Sequence, residues 1–203
     1  MSAKALFESR DNAELAAKYD QWSSSYESDM GDHSGPRETV EIVSKYCGLE
    51  DRILDAGCGT GLAGQLLQER GYWNLEGLDL SRGMLDQAAA KGCYAALHQG
   101  VLGEPLALPT SFYDATMVIG VFARAHAPAV SLRELVRITK PRGHVIFTIR
   151  PEFYESSDFK QVVAELGDTG SWRLVERTEP FDGRFKDFPE VCLQVWVFEV
   201  LSD

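Results

Sequence analysis

The 203-residue sequence predicts an α/β fold: a doubly wound sheet of seven strands, mostly parallel, with the last strand antiparallel. Three observations lead there. Short aliphatic runs alternate with amphipathic helical stretches from residue 52 to residue 150, and βαβα order gives parallel strands with helices on both faces. Gly71 and Gly92 stand where two helical patterns stop, as residues that tolerate a left-handed helix end. The final two strand patterns are joined by a polar turn alone, so the last must oppose its neighbour.

In chain order, Asp11 or Asn12 opens a helix over 11–29 whose Leu15, Tyr19, Trp22 and Tyr26 recur on one face. A second helix follows Pro36. Strands are expected at 52–56, 73–79, 93–97, 114–120 and 144–150, with helices at 61–70, from Ser81 to Gly92, and at 128–139. Pro105 and Pro109 interrupt the loop before the fourth strand. The tail reads as a helix over 157–166 with Phe159, Val162, Val163 and Leu166 inward, then strands at 171–178 and 190–201. With no internal repeat or linker, residues 1–203 read as one domain: a helical cap over 1–47, a core over 48–150, and a C-terminal helix and hairpin over 151–203.

With 44% hydrophobic and 25% charged residues, the chain is globular rather than disordered, and long enough to bury a core without disulfides or metal. Its formal net charge of −11 sets repulsion against any phosphate backbone, which argues against nucleic acid and for neutral or cationic small molecules or basic protein segments. The first ten residues, with Lys4, Glu8 and Arg10, hold no secretory apolar core, and no run approaches the roughly 18 apolar residues of a membrane span. Cys47, Cys58, Cys93 and Cys192 lack metal or redox spacing, as reduced thiols of a cytoplasmic protein would. A monomer or weak homodimer, with no membrane partner, is expected.

The densest signal is Ile53-Leu54-Asp55-Ala56-Gly57-Cys58-Gly59-Thr60-Gly61-Leu62, a strand running into a glycine-rich turn and a helix. Alternate glycines let the backbone approach a ligand, and the helix start offers free N–H groups. Asp79 ends the next strand, where a carboxylate accepts both hydroxyls of a ribose. Gly59-Thr60-Gly61-Leu62-Ala63-Gly64 also satisfies the dinucleotide pattern G-x-G-x-x-G. Position argues against that reading, because Gly59 lies two residues beyond Gly57 and Asp55 is left without a role. An acidic strand end suits a ligand with an ammonium group rather than a pyrophosphate. S-adenosylmethionine has that ammonium and no phosphate.

On these residues the chain resembles the class I S-adenosylmethionine-dependent methyltransferases, with a Rossmann-like sheet and N-terminal helices capping the cofactor site. Leu78–Ala90, Thr110–Gly120 and Leu132–Phe147 are similar to the family's later segments, and the resemblance runs from about Tyr19 to Ile149. Tyr19-Asp20-x-Trp22 with Tyr26, Pro36-Arg37, Gly83-Met84-Leu85-x-Gln87-Ala88 and Glu104-Pro105-Leu106 resemble a narrower branch, the methyltransferase-like proteins of the Williams-Beuren type and their bacterial relatives. The resemblance implies a donor site formed by Asp55, Gly57, Cys58, Gly59, Gly61, Asp79, Leu80, Met84, Val101, Leu102 and Ile119, with Met84 against adenine. Many family members hold the adenine amino group with an acid near Val101. Here Gln99-Gly100-Val101-Leu102 leaves that task to backbone groups or the Gln99 amide.

Arg142-Gly143 replaces the family's usual Gly-Gly, and Ile119-Gly120-Val121-Phe122 lacks the Asp/Asn-Pro-Pro-Tyr loop that goes with base-amine and amide acceptors. The expected reaction is methyl transfer to a small-molecule acceptor through oxygen, nitrogen or sulfur. A donor-binding sensor without turnover and a methyltransferase acting on basic protein segments are the rivals. His126, after the fourth strand, is the candidate general base, against the alternative of a partly exposed loop histidine. His33 faces the same choice, while His98 and His144 fall in strand segments. Tyr19, Trp22 and Tyr26 read as an aromatic lid over a sulfonium or as a plain core stripe. Arg37 reads as a partner of the methionine carboxylate or as a solvated helix-start residue. Arg150 and Tyr154 are candidates for the acceptor side, and Phe181, Phe185 and Phe188 form either a wall or a folded-back loop.

Overall fold

A computed structural model describes residues 9–186 and 189–201, so Lys4, Glu8 and Phe188 lie outside the described residues. Eight strands form one sheet: β1 (Ile53–Ala56), β2 (Leu75–Asp79), β3 (Ala96–Gln99), β4 (Tyr113–Phe122), β5 (Thr139–Ile149), β6 (Trp172–Arg177), β7 (Phe181–Asp182) and β8 (Cys192–Val200). Seven of them run in the order β3-β2-β1-β4-β5-β8-β6, and the two-residue β7 pairs with β8 off that path. β3, β2, β1, β4 and β5 are mutually parallel, while β8 is antiparallel to β5, β6 and β7. The chain winds outward from β1 to β3, then returns to β4 on the other side. Ligand crevices in such sheets open at the carboxyl ends of the strands flanking that reversal.

Eight helices accompany the described strands: α1 (Asn12–Trp22), α2 (Tyr26–Met30), α3 (Gly35–Tyr46), α4 (Leu62–Glu69), α5 (Arg82–Lys91), α6 (Ser131–Ile138), α7 (Pro151–Ser156) and α8 (Phe159–Asp168). The single helix expected over 11–29 is broken at Ser23–Ser25. There the side chains compete for local partners: Ser23 Oγ donates to the Asp20 carbonyl (2.9 Å), while Trp22 Nε1 and Ser25 Oγ both donate to Asp29 (2.7 and 2.8 Å). The break folds Tyr26 edge-on to Trp22, with ring centroids 4.8 Å apart.

Other departures lie at element ends. β3 starts at Ala96, later than expected, and α6 starts at Ser131 because Pro128–Val130 forms a turn closed by Ser131 N–H on the Pro128 carbonyl (3.0 Å). β5 begins at Thr139, ahead of the Lys-Pro turn, through an irregular register with β4 in which Arg142 takes φ +68°. Pro151, preset for a first helical turn, opens α7, which the sequence pattern missed.

The core packs on both faces of the sheet. On one face, Tyr113, Leu132, Phe147, Phe159, Trp172 and Phe198 close around α6 and α8; on the other, Val40, Val43, Leu67, Met117, Ile146 and Val197 close under α3 and α4. A separate small cluster holds Leu15 and Trp22 with Tyr19, Tyr26, Met30 and Leu80, so α1 and α2 pack on the end of β2 rather than on the main core.

Candidate functional site

The glycine loop is tied to the sheet reversal by the backbone itself. Gly57 N–H and Cys58 N–H both donate to the Leu78 carbonyl (2.6 and 3.0 Å), which pins the turn after β1 to the end of β2. Gly57 takes φ +84°, and a Cβ there would lie 2.3 Å from Val121 Cγ2, so only glycine lets the end of β4 close on the loop. Gly59 takes φ +53° with open space where its Cβ would be.

Asp79 stands at the end of β2 with a buried carboxylate. Its Oδ2 accepts Gly59 N–H (2.9 Å) and its Oδ1 accepts Ser81 N–H (2.8 Å), so one side chain sets the shape of both loops. Burial pushes its pKa up to about 6 against the opposing pull of those N–H groups. Asp55, fully buried on β1, is raised to about 7, first by burial and further by the Asp79 charge, although a hydrogen bond from Tyr94 pulls the other way.

Two adjoining cavities share Gly57, Asp79, Leu80, Val121 and His126. The first is lined in addition by Asn12, Leu15, Leu78, Gly100, Val101, Leu102 and Ala127, a mainly apolar set. The second adds Tyr19, Tyr26, Gly59, Met84, Ile119 and Gly120, so two phenols face the glycine loop across it. They hold about 380 and 440 Å³ of empty space, open solvent included. Asp79 therefore sits at the junction of an apolar slot and an aromatic-walled chamber.

The strap formed by α1 and α2 covers this junction through three tethers. Asp20 Oδ1 accepts Ser81 Oγ–H (2.6 Å) and Gly83 N–H (2.8 Å) at the start of α5. A Cβ on Gly83 would lie 2.9 Å from the Asp20 Cα, which makes glycine the residue that admits the strap. Glu27 Oε1 accepts Thr60 Oγ–H (2.5 Å) and pairs with Lys91 (2.6 Å), joining α2 to the glycine loop and to the end of α5. Tyr19 completes the set with its hydroxyl 2.9 Å from His126 Nε2.

His126 follows β4 in a turn closed by its own N–H on the Ala123 carbonyl (3.1 Å), with Ala125 at φ +61°. A non-glycine residue held there is strained, and such strain concentrates where a side chain must be aimed. Nδ1 of the ring lies 2.8 Å from the Arg124 carbonyl, which only accepts, so Nδ1 carries the hydrogen. Burial, with help from the Arg150 charge, holds the imidazole below its usual pKa against the raising effect of Arg124, which keeps the ring neutral near pH 7. Nε2 is then the acceptor and Tyr19 the donor.

Of the expected site residues, Tyr19, Tyr26, Gly57, Gly59, Asp79, Leu80, Met84, Val101, Leu102, Ile119 and His126 come together in the cavity walls. Five others stand elsewhere. Asp55 accepts the Tyr94 hydroxyl (2.6 Å) behind the walls, and Gly64 makes room for that ring, since a Cβ would meet Tyr94 Cζ at 2.3 Å. Trp22 is buried behind the strap, supporting both tyrosines rather than facing the chamber. Cys58 is buried against Gly77 and Leu97, and Gly61 packs against Ala88 and Tyr94 at the start of α4. Arg37 pairs with Asp32 (3.0 Å) and lines a separate depression with Glu27, His33 and Leu66.

The remaining candidates are also placed. His33 stacks on Phe185 at 5.6 Å, His98 bonds Glu76 (2.8 Å), and His144 lies against Tyr46 (5.1 Å). The Gln99 amide donates to the Leu80 carbonyl (3.1 Å), and Tyr154 packs on Trp196 (4.6 Å). Phe181 joins the core under α3. Tyr94, Asp20, Leu15, Asn12, Gly120 and Ala127 carry contacts or walls that sequence reasoning did not assign. The Asp20-to-Gly83 approach had one available signal, the lone glycine in the first turn of α5. Among the described residues no group of three or more His, Cys, Asp or Glu is gathered as for a metal ion, and no helix is long and apolar enough to cross a membrane.

Comparison with known proteins places these features. Residues 54–147 match a family described as a methyltransferase domain. The chain is 36% identical over 138 residues to human Methyltransferase-like protein 27, covering 65% of this chain and 56% of that protein. It is 35% identical over 146 residues to a malonyl-[acyl-carrier protein] O-methyltransferase of Erwinia pyrifoliae, covering 69% of this chain and 48% of the relative. An 18S rRNA (guanine-N(7))-methyltransferase of Bos taurus is 36% identical over 85 residues, 40% of this chain and 30% of that one. The chain thus spans about half the length of the first two curated relatives. Among solved structures, the [4+2]-cyclase SpnF superposes with a TM-score of 0.73 at 16% identity, over 95% of this chain and 97% of the other, which is a likeness of fold.

Proposed function

From the match of residues 54–147 to a methyltransferase domain, we propose that the chain moves the methyl group of S-adenosylmethionine onto a small-molecule acceptor through oxygen, nitrogen or sulfur. The observation that carries this reading is the buried Asp79 carboxylate at the junction of the two cavities. Its oxygens hold the Gly59 and Ser81 N–H groups, with the Leu80 N–H also favouring the charged form, and the remaining lone pairs of the carboxylate leave capacity for hydroxyl donors, which fits a ribose. Leu80, Val101 and Leu102 make the first cavity a fit for a flat base, and Tyr19 and Tyr26 present aromatic faces suited to a sulfonium. Once bound, the donor supplies an electrophilic methyl carbon.

The chain's own task is orientation, exclusion of water and, for a protic acceptor, removal of a proton. The strap over Asp79 serves the first two, and His126 serves the third. Asp55 lies behind the wall, and its negative charge favours a cationic ligand without touching it. The malonyl-[acyl-carrier protein] relative's name supports an oxygen acceptor, whereas the ribosomal relative shares a shorter stretch.

Calorimetry with S-adenosylmethionine and with NAD tests the donor assignment. Micromolar NAD binding without S-adenosylmethionine binding would end it. A sensor without turnover is favoured by one observation, the engagement of His126 Nε2 by Tyr19. Incubation with labelled donor and a broad metabolite extract separates the two, since any labelled product excludes a pure sensor.

A further inference from the structure

Tyr19 and His126 both face the aromatic-walled chamber, yet the atom of His126 suited to accept a proton is already held by the Tyr19 hydroxyl at 2.9 Å. A substrate proton reaching Nε2 directly would first have to displace that bond. The phenol oxygen, by contrast, keeps lone pairs while its hydrogen is donated. We propose that the two residues form a proton relay: the Tyr19 oxygen takes the proton of an O–H acceptor while the Tyr19 hydrogen passes to His126 Nε2. This inference rests on the methyl-transfer reading above and narrows its acceptor to a hydroxyl or enol, the class whose oxygen must lose a proton as it is alkylated.

The surroundings fit coupled rather than stepwise movement. Burial, then Tyr26 and Asp79, push the Tyr19 phenol well above its usual pKa, so it cannot store the negative charge and must give one proton as it takes another. Nδ1–H of His126 is anchored on the Arg124 carbonyl (2.8 Å), which fixes the ring for receipt at Nε2. The charged and titratable groups facing the pair are Arg150 after β5, Asp79 at the end of β2 and Tyr26 on α2. Burial and the Arg150 charge disfavour a resident imidazolium, so His126 holds the proton through the transfer step and releases it afterwards. In the balanced step the acceptor O–H bond breaks as its oxygen–methyl bond forms. The electron pair of the sulfur–methyl bond stays on sulfur, and one proton ends on His126.

The test is a nitrogen-15 NMR titration of His126 in the wild type and in Tyr19→Phe, each saturated with S-adenosylhomocysteine whose binding is measured by calorimetry on the same samples. Expected are binding by both chains, the Nδ1-protonated tautomer in the wild type, and a His126 midpoint about half to one pH unit higher in Tyr19→Phe, because neutral Nε2 has lost its donor. Equal midpoints in the two complexes would mean that the contact is a clasp released on ligand binding, and would overturn the relay while leaving the donor site intact. Failure of the wild type to bind S-adenosylhomocysteine would instead overturn the donor reading, and the relay with it.

Discussion

Asp55→Asn is expected to stabilise the ligand-free protein above neutral pH. In the folded chain the carboxyl is buried on β1 and titrates near 7, against about 4 in an unfolded chain. Between those values the folded state holds the extra proton, so stability falls as pH rises from about 4 to 7 and stays level above. Three pH units at 1.36 kcal/mol each set a ceiling of roughly 4 kcal/mol, and structural relaxation around the charge brings the expected gain to about 2 kcal/mol. Asparagine keeps an oxygen for the Tyr94 hydroxyl, so the hydrogen bond survives while the charge is removed. For a chain of this length the gain raises Tm by roughly 4 to 8 °C. Thermal melts of both proteins at pH 5, 6, 7 and 8 read it as a gap that widens with pH. A gap of constant size, or a less stable variant at pH 8, would refute a strained carboxylate at this position. The same substitution weakens a cationic donor, an exchange of stability against binding.

Asp79→Ala removes the acceptor of Gly59 and Ser81 N–H together with the ribose contacts, and should weaken S-adenosylmethionine by about 1 to 3 kcal/mol in calorimetry; unchanged affinity would place the ligand elsewhere. Gly57→Ala forces a Cβ into Val121 at a positive φ, and should cost about 2 to 4 kcal/mol in urea unfolding. Asp20→Ala cuts one tether of the strap, and hydrogen exchange should quicken over 12–30 while the sheet amides stay protected. His126→Ala should lower methyl transfer with donor affinity retained, read by labelled-product formation beside calorimetry; equal turnover would make the residue a passive part of the wall.

The succession of strands and helices along the chain and the glycine loop were legible because they rest on local signals. Short aliphatic runs set between helical stretches mark buried parallel strands, and Gly57, Gly59 and Asp79 occupy positions that a tight turn and a strand end define by themselves. The split of the first helix was less so, since Ser23–Ser25 break it through partners that only folding supplies, Asp20 and Asp29. Asp55 shows the limit most clearly. Its place on β1 was readable, but its engagement by Tyr94 depends on Gly64 clearing space for the ring, a three-way contact with no periodic trace. Arg37 likewise found a neighbour, Asp32, that helix-start chemistry cannot distinguish from a ligand.

The insertion of β8 between β5 and β6 bears on how the molecule is made. A ribosome delivers the parallel half first, complete with its glycine turn, yet the flank of β5 stays open until residues 192–200 emerge to bond it along His144–Ile149. Until then Phe147 lacks Trp196 and Phe198, and Trp172 lacks its stacking partner. A nascent chain stalled before Cys192 therefore presents an unfilled slot edged with aromatic rings, which makes this interval of synthesis the one most exposed to chaperone capture and to clumping with its neighbours on a polysome.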